Sequence, residues 1–125
     1  MGKILSEYHN NTDRAWFDSS NVLYAECDDK EQELKEVKVT FKNGSTYAYH
    51  KVKVNDWLMF REAASTGKGL NAFIKQYECE KIDSDKTVDE IKDELAVLLE
   101  AIENAKNAKP LEINQENMSL DATAN

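Results

Sequence analysis

The stretch that most constrains the fold is a β-hairpin sequence in residues 37–49 of this 125-residue chain. Val37–Phe41 alternates apolar and polar residues, a second short strand ends at Tyr49, and Asn43-Gly44 lies between them. Asn-Gly is the dipeptide most strongly associated with a tight reversal between antiparallel strands. A hairpin alone cannot bury its apolar face, so further elements of the chain must cover it.

The length of the turn decides which side of the hairpin carries its two tyrosines. A loop of only Asn43-Gly44 places Tyr47 opposite Thr40 and Tyr49 opposite Lys38, on a basic face. In this register the following side chains form a stacking platform for single-stranded nucleic acid: Lys38, Thr40, Lys42, Tyr47 and Tyr49.

A loop of Lys42–Gly44, with Gly44 at positive φ, instead places Tyr47 opposite Val39 and Tyr49 opposite Val37. Because side chains alternate with a period of two, this one-residue difference moves both tyrosines to the apolar face. We favour this second register, since the hydrophobic pattern and the turn chemistry then agree.

The neighbouring residues predict an α+β domain. Ser20–Ala25 and the strand that Leu34 opens join the hairpin in a three-stranded antiparallel meander. Two short helices follow, over about Asp56–Ser65 and Leu70–Tyr77, because apolar residues recur at helical spacing. We expect a common core that includes Val39, Trp57, Phe60 and Phe73.

The C-terminal part predicts a further amphipathic helix. Thr87 and Glu90 have the spacing of a capping box, and Pro110 is expected to end the helix. Its apolar residues alternate spacings of three and four, as in a coiled coil: Val88, Ile91, Leu95, Leu98, Ile102 and Ala105. This stripe is equally compatible with self-association, with a partner helix and with packing on the chain's own domain.

These elements predict four regions. Residues 1–17 form an N-terminal arm that Trp16 or Phe17 anchors to the core, and residues 18–80 form the α+β domain. Residues 86–109 form the C-terminal amphipathic helix, and residues 110–125 form a flexible tail.

The net charge of −8 is unevenly distributed along the chain. Residues 38–77 carry six lysines and one arginine against two acids, a net of +5, whereas residues 18–37 and 81–125 are acidic. A basic centre is compatible with a local contact to phosphates. The candidate nucleic-acid-binding residues are Lys38, Lys42, Tyr47, Tyr49, Lys51, Lys53, Arg61, Lys68 and Lys75.

The sequence contains no recognisable catalytic constellation. It lacks a nucleophile with a base, a metal-ligand cluster and a phosphate-binding loop, so we expect no enzymatic activity, no cofactor and no metal. It also lacks a signal peptide and a membrane-spanning run, which indicates a cytoplasmic protein. Cys27 and Cys79 are then expected to be reduced thiols.

A resemblance to a known family rests on motifs in a fixed order. They are Asp18-Ser19-Ser20, Tyr24, Phe41, Gly44, Tyr47-Ala48-Tyr49, Val52, Ala64-Ser65-Thr66-Gly67 and Asn71-Ala72-Phe73-Ile74-Lys75-Gln76-Tyr77. This order resembles the KTSC domain, a small module found at the C-terminus of some lysyl-tRNA synthetases and as stand-alone bacterial or phage proteins. The resemblance implies an α+β unit without established enzymatic activity and with a suggested role in RNA binding.

Two functions of different classes follow. The first is a non-catalytic module that binds RNA through the basic central surface. The second is a small phage-type protein-interaction factor that inhibits a host enzyme or defence system through its acidic surface and C-terminal helix. The partner-binding residues would then be Val88, Ile91, Leu95, Leu98 and Ile102, and the same stripe could form a homo-oligomer.

Overall fold

The computed structural model describes residues 1–29 and 33–107, and its main element is an antiparallel sheet of six strands in sequence order. The strands are β1 (Lys3–His9), β2 (Thr12–Phe17), β3 (Val22–Asp28), β4 (Leu34–Phe41), β5 (Thr46–Lys53) and β6 (Cys79–Ile82). The helices are α1 (Val54–Arg61), α2 (Thr66–Gly69), which continues as a π-helical turn (Leu70–Ile74), and α3 (Val88–Asn107). The predicted tail, residues 110–125, lies outside the described residues.

The α+β class is confirmed, but the prediction of three strands is wrong. Residues 1–17, predicted to be an arm, contribute β1 and β2, which are joined by Asn10 and Asn11 at φ 52° and 57°. The arm was misread because β2 is buried on both sides and therefore shows no simple alternation. β6 was missed because Cys79–Ile82 is short and carries two charged residues, which is typical of an edge strand.

The hairpin adopts the favoured register. Val39 pairs with Tyr47 and Val37 with Tyr49, so the loop is Lys42–Gly44. The Phe41 amide donates to the Ser45 carbonyl at 2.8 Å, and Gly44 has φ +93°. A non-glycine residue is strained in this conformation, so the turn chemistry and the apolar pattern act together here.

The apolar core lies between one side of the sheet and the helices α1 and α2 with the π-helical turn. We call this side the helix-covered face and define it by Ala15, Ala25, Val37, Val39 and Tyr49. Opposite them, the helical elements bury Trp57, Phe60, Leu70 and Ile74, and Phe73 lies against the same cluster. The expected common core is therefore confirmed.

The other side of the sheet, which we call the opposite face, carries Trp16, Tyr24, Lys38, Thr40 and Thr46. Part of it is covered by residues 83–91, which include the first turn of α3. The predicted capping box is present in that turn, because the Thr87 amide donates to Glu90 Oε1 at 2.8 Å and the Glu90 amide donates to Thr87 Oγ1 at 3.1 Å.

The chain divides into two compact units. Met1–Lys92 forms the first, with the whole sheet, and the described part of the second is the portion of α3 from Asp93 onward.

Candidate nucleic-acid interface

The side chains predicted to bind nucleic acid lie at several separate places. Lys38 lies on the opposite face, Lys51 and Lys53 are exposed at the end of β5 that leads into α1, and Lys68 is exposed in α2. Lys42 is exposed in the hairpin turn, and Lys75 directly follows the π-helical turn. The structure therefore does not assemble the predicted residues into one continuous basic surface.

The guanidinium of Arg61 is bound within the domain. Its Nη1 lies 2.5 Å from Asp13 Oδ2 and its Nε donates to Glu62 Oε2 at 2.8 Å. The same Asp13 oxygen accepts a hydrogen bond from Trp57 Nε1 at 2.9 Å. Arg61 therefore joins α1 to β2, and its charge is balanced by neighbouring carboxylates.

The two tyrosines of the hairpin differ in exposure. Tyr49 is only 4% exposed, and burial raises the pKa of its hydroxyl. Tyr47 is half-buried and meets Phe41 edge to face, with ring centroids 6.0 Å apart and an interplanar angle of 82°. Only Tyr47 of this pair leaves part of its ring available for contact with another molecule.

An open groove of about 340 Å³ lies at this part of the helix-covered face. Its lining residues are Phe41, Tyr47, Tyr49, Lys75 and Cys79, and we call it the aromatic groove. The strand β5 supplies both tyrosines, β6 supplies Cys79, and the segment after the π-helical turn supplies Lys75. An aromatic ring next to an ammonium group suits a ligand that has both a planar ring and a negative charge.

A second lysine lies beside this groove. Lys81 is exposed and pairs with Tyr47 across β5 and β6, so its side chain is on the same face of the sheet. The neighbouring Glu80 points to the other face, where its Oε2 lies 2.9 Å from His50 Nε2. The alternation of β6 therefore presents the cation to the groove and turns the carboxylate away from it.

Phe41, Cys79 and Lys81 lie at the groove but are not among the residues predicted from the sequence. The available signal was the alternation of Cys79–Ile82, which places Cys79 and Lys81 on one face once this segment is recognised as a strand. Phe41 could have been found from the favoured register, because it shares a face with Val37 and Val39.

The apolar residues predicted to bind a partner fall in both compact units. Ile91 is fully buried, and its carbonyl accepts a hydrogen bond from Trp16 Nε1 at 3.1 Å, so it is not available for a partner. Val88 is half-buried in the same unit. Leu95, Leu98 and Ile102 lie in the second unit, where Val97, Leu99 and Ile102 are 63%, 41% and 38% exposed.

Among residues 1–29 and 33–107, no group of three or more His, Cys, Asp and Glu side chains could hold a metal ion. Cys27 is a buried free thiol and Cys79 an exposed one. In the same described part of the chain, no helix has the length and apolar character needed to cross a membrane.

Comparison with known proteins adds one finding. The model of the KTSC domain matches residues 18–77, which include β3, β4, β5, α1, α2 and the π-helical turn. The match ends before β6 and begins after β2, so both sheet edges lie outside it. No curated protein and no solved structure shows a significant match to the chain.

Proposed function

Because residues 18–77 match the model of the KTSC domain, we propose that the chain is a non-catalytic module that binds single-stranded RNA in the aromatic groove. The observation that carries this proposal is the placement of the half-exposed Tyr47 ring beside Lys75 and Lys81. Base stacking on an aromatic side chain requires an accessible ring, and backbone contact requires nearby cations.

The shape of the groove favours a single strand over a duplex. An open groove with a ring at its wall admits an unpaired base, whereas a duplex presents stacked bases and phosphates to a broad surface. The overall charge of −8 also argues for a narrow contact, because most of the surface would repel phosphate. Lys42, in the turn next to Phe41, provides a third cation at the end of the hairpin.

The test is a titration of a fluorescein-labelled single-stranded RNA oligonucleotide, followed by fluorescence anisotropy over a series of salt concentrations. With three lysines at phosphates, the logarithm of affinity should fall against the logarithm of salt with a slope of about −2. Tyr47→Leu should weaken binding about tenfold or more, because it removes the ring on which a base stacks.

Two lysine variants form a matched pair, in which Lys75→Gln tests the groove and Lys38→Gln is the control. Lys75→Gln should lower both the affinity and the salt slope, whereas Lys38→Gln, on the opposite face, should leave both unchanged. Equal effects of the two substitutions, or no RNA binding by the folded wild-type chain at low salt, would contradict the proposal.

A second candidate function rests on a different observation. The apolar side chains of Val97, Leu99 and Ile102 are exposed on α3, which favours a protein-interaction factor of the phage-inhibitor type. Its test is affinity purification from host extract after nuclease treatment, with wild type compared against Leu99→Glu. A stable protein complex that depends on Leu99 and survives nuclease would support this candidate over RNA binding.

A further inference from the structure

The edge strand β1 presents unpaired backbone groups along a regular segment. In the sheet order, β1 has β2 on one side and no strand of the described residues on the other. Asn10 and Asn11 are both left-handed, which is the geometry of a two-residue turn whose flanking residues, His9 and Thr12, exchange both backbone hydrogen bonds.

Hydrogen-bonded and non-hydrogen-bonded pairs alternate along an antiparallel ladder, so this turn determines whether the backbone groups of each β1 residue point toward β2 or away from it. His9, Glu7 and Leu5 bond to β2, whereas the amides and carbonyls of Tyr8 and Ser6 point away from the sheet. The side of β2 that faces β3 is consistent with this assignment, since the carbonyl of Asn11, just before β2, accepts from the amide of Asp29, just after β3, at 2.9 Å.

This edge has little protection against another strand. Proteins usually blunt an edge with a very short strand, a proline, lysines or a bulge. The other edge, β6, has four residues, whereas β1 has seven. The lysine and the bulge of β1 both lie at its start, at Lys3 and Ile4, so the rest of the strand has neither. Two large side chains of β1 are exposed, Ile4 by 44% and Tyr8 by 57%.

We propose that two copies of this chain associate by antiparallel pairing of β1 with β1, about a two-fold axis at Ser6. The outward amide and carbonyl of Ser6 then bond to Ser6 of the second copy, and Ile4 of each copy lies opposite Tyr8 of the other. A β-branched residue opposite an aromatic one is a favourable cross-strand pair, and both side chains are the exposed apolar residues of this strand.

Self-complementarity is what selects a second copy as the occupant of this edge. An axis at Glu7 would place Glu7 against Glu7, which is a repulsive pair. An axis at Leu5 would place Ile4 opposite Ser6 and Tyr8 opposite Gly2, which leaves both apolar side chains without an apolar partner. The register about Ser6 avoids opposed like charges and pairs Ile4 with Tyr8.

This inference is independent of the RNA-binding proposal. The aromatic groove is built from β5, β6 and the segment after the π-helical turn, whereas β1 is the other edge of the sheet. A dimer would therefore keep both grooves open, and either proposal can fail without the other.

Disulfide cross-linking tests the register directly. In a Cys79→Ser background, Ser6→Cys should form a disulfide-linked dimer in most of the protein under mild oxidation, since directly opposed residues have Cα atoms about 5.5 Å apart. His9→Cys is the matched control, because the same register separates the two copies of residue 9 by six positions, about 20 Å along the strand. Equal cross-linking of the two variants would overturn the proposal.

Sedimentation equilibrium of the full chain without added cysteines is the second measurement. The mass should rise from monomer to dimer with concentration, and Ser6→Pro should abolish the rise, because proline removes an outward amide and keeps the bonds to β2. Circular dichroism verifies that this variant is folded. A wild-type chain that stays monomeric at millimolar concentration, or a dimer lost in Leu99→Lys and kept in Ser6→Pro, would show the proposal to be wrong.

Discussion

The two faces of the sheet are buried by different parts of the chain and by different kinds of contact. The helix-covered face is apolar, and Val37, Val39 and Tyr49 meet Trp57 and Phe60 there. All these residues lie within 18–77, the part that matches the KTSC domain. Ala15 and Phe17 of β2 complete this cluster, so the core of this face lies mostly, but not wholly, within the matched residues.

The opposite face depends on residues outside the family match. Trp16 comes from β2, and Ile91 comes from the first turn of α3. Several of its contacts are polar: the hydroxyls of Thr40 and Thr46 lie 2.9 Å apart, and Lys86 Nζ lies 5.4 Å from the centre of the Tyr24 ring. A pocket of about 90 Å³ remains beneath residues 83–86. The comparison indicates that the module provides one well-packed face, while the flanking segments cover the other less completely.

The largest expected difference concerns the reactivity of the two cysteines on the helix-covered face. Burial, and to a smaller extent the charge of Asp13, raises the pKa of Cys27 from 9.0 to about 12, which lowers its thiolate fraction about a thousandfold at neutral pH. Cys79, in the aromatic groove, is exposed. Iodoacetamide at pH 7.5, followed by peptide mass spectrometry, should therefore modify Cys79 and leave Cys27 intact while the protein is folded.

Urea provides the control for this reactivity experiment. In the unfolded chain both thiols should react at similar rates, because the burial that raises the Cys27 pKa is removed. Rapid modification of Cys27 in the native protein would mean that water reaches the helix-covered face at β3. It would contradict the difference in burial between Cys27 and Cys79.

Truncation of a core aromatic should have the next largest effect. Phe60→Ala removes a fully buried ring whose centroid lies 5.2 Å from Phe17 and 5.8 Å from Trp57, and should lower the free energy of unfolding by about 3–5 kcal/mol. Met59→Ala, one residue earlier in α1 and 54% exposed, should change it by less than about 0.5 kcal/mol. Urea denaturation measures both, and similar losses for the two would contradict the assignment of the core.

A substitution on the opposite face, which is covered less completely, should lower the free energy of unfolding by less. Trp16→Phe keeps most of the buried ring and removes the hydrogen bond from Nε1 to the Ile91 carbonyl, so it should lower the free energy of unfolding by about 1 kcal/mol. A loss of unfolding free energy as large as that of Phe60→Ala would contradict the looser packing of the opposite face.

The same comparison explains how much of the fold could be predicted from the sequence. The register of the hairpin was predictable, because a single glycine and two pairs of apolar residues point to the same alignment. Helix α1 was broadly predictable from the spacing of Trp57 and Phe60. Helix α2, Thr66–Gly69, falls between the two predicted helices, and only the π-helical turn that follows it lies where the second helix was expected. β2 was not predictable from alternation, since Trp16 is buried on one side of it and Phe17 on the other.

The candidate site was less predictable than the core. Counting cations along the chain grouped Lys38 with Lys75, although they lie on different faces of the sheet, and it included Arg61, which is held by carboxylates. Lys81 was excluded because it lies in a segment that is acidic overall. Which charges share a surface depends on strand pairing, and β6 could be placed beside β5 only once the tertiary structure was known.

The smallest effect is expected at the polar rim of the helix-covered face, where β1 meets the end of α1. Lys3 Nζ donates to Glu62 at 2.8 Å, and Arg61 Nε also donates to this carboxylate. These bonds, the one from Lys3 first, lower the pKa of Glu62 from its ordinary 4.5. The ionised carboxylate therefore stabilises the folded state at pH values above 4.5, and this contribution is lost as the pH falls through the lowered value in the folded protein.

Comparing Glu62→Gln with wild type tests this rim. At pH 7 the substitution should cost less than about 1 kcal/mol, because Glu62 is 48% exposed and solvent screens its ion pairs. The difference should shrink when the pH of the urea denaturation is lowered from 7 through the lowered pKa of Glu62 in the folded protein, and it should also shrink in 1 M salt. A difference that is the same at all pH values would mean that the side chain acts through packing and not through its charge, and the rim would then belong with the apolar core in the comparison of the two faces.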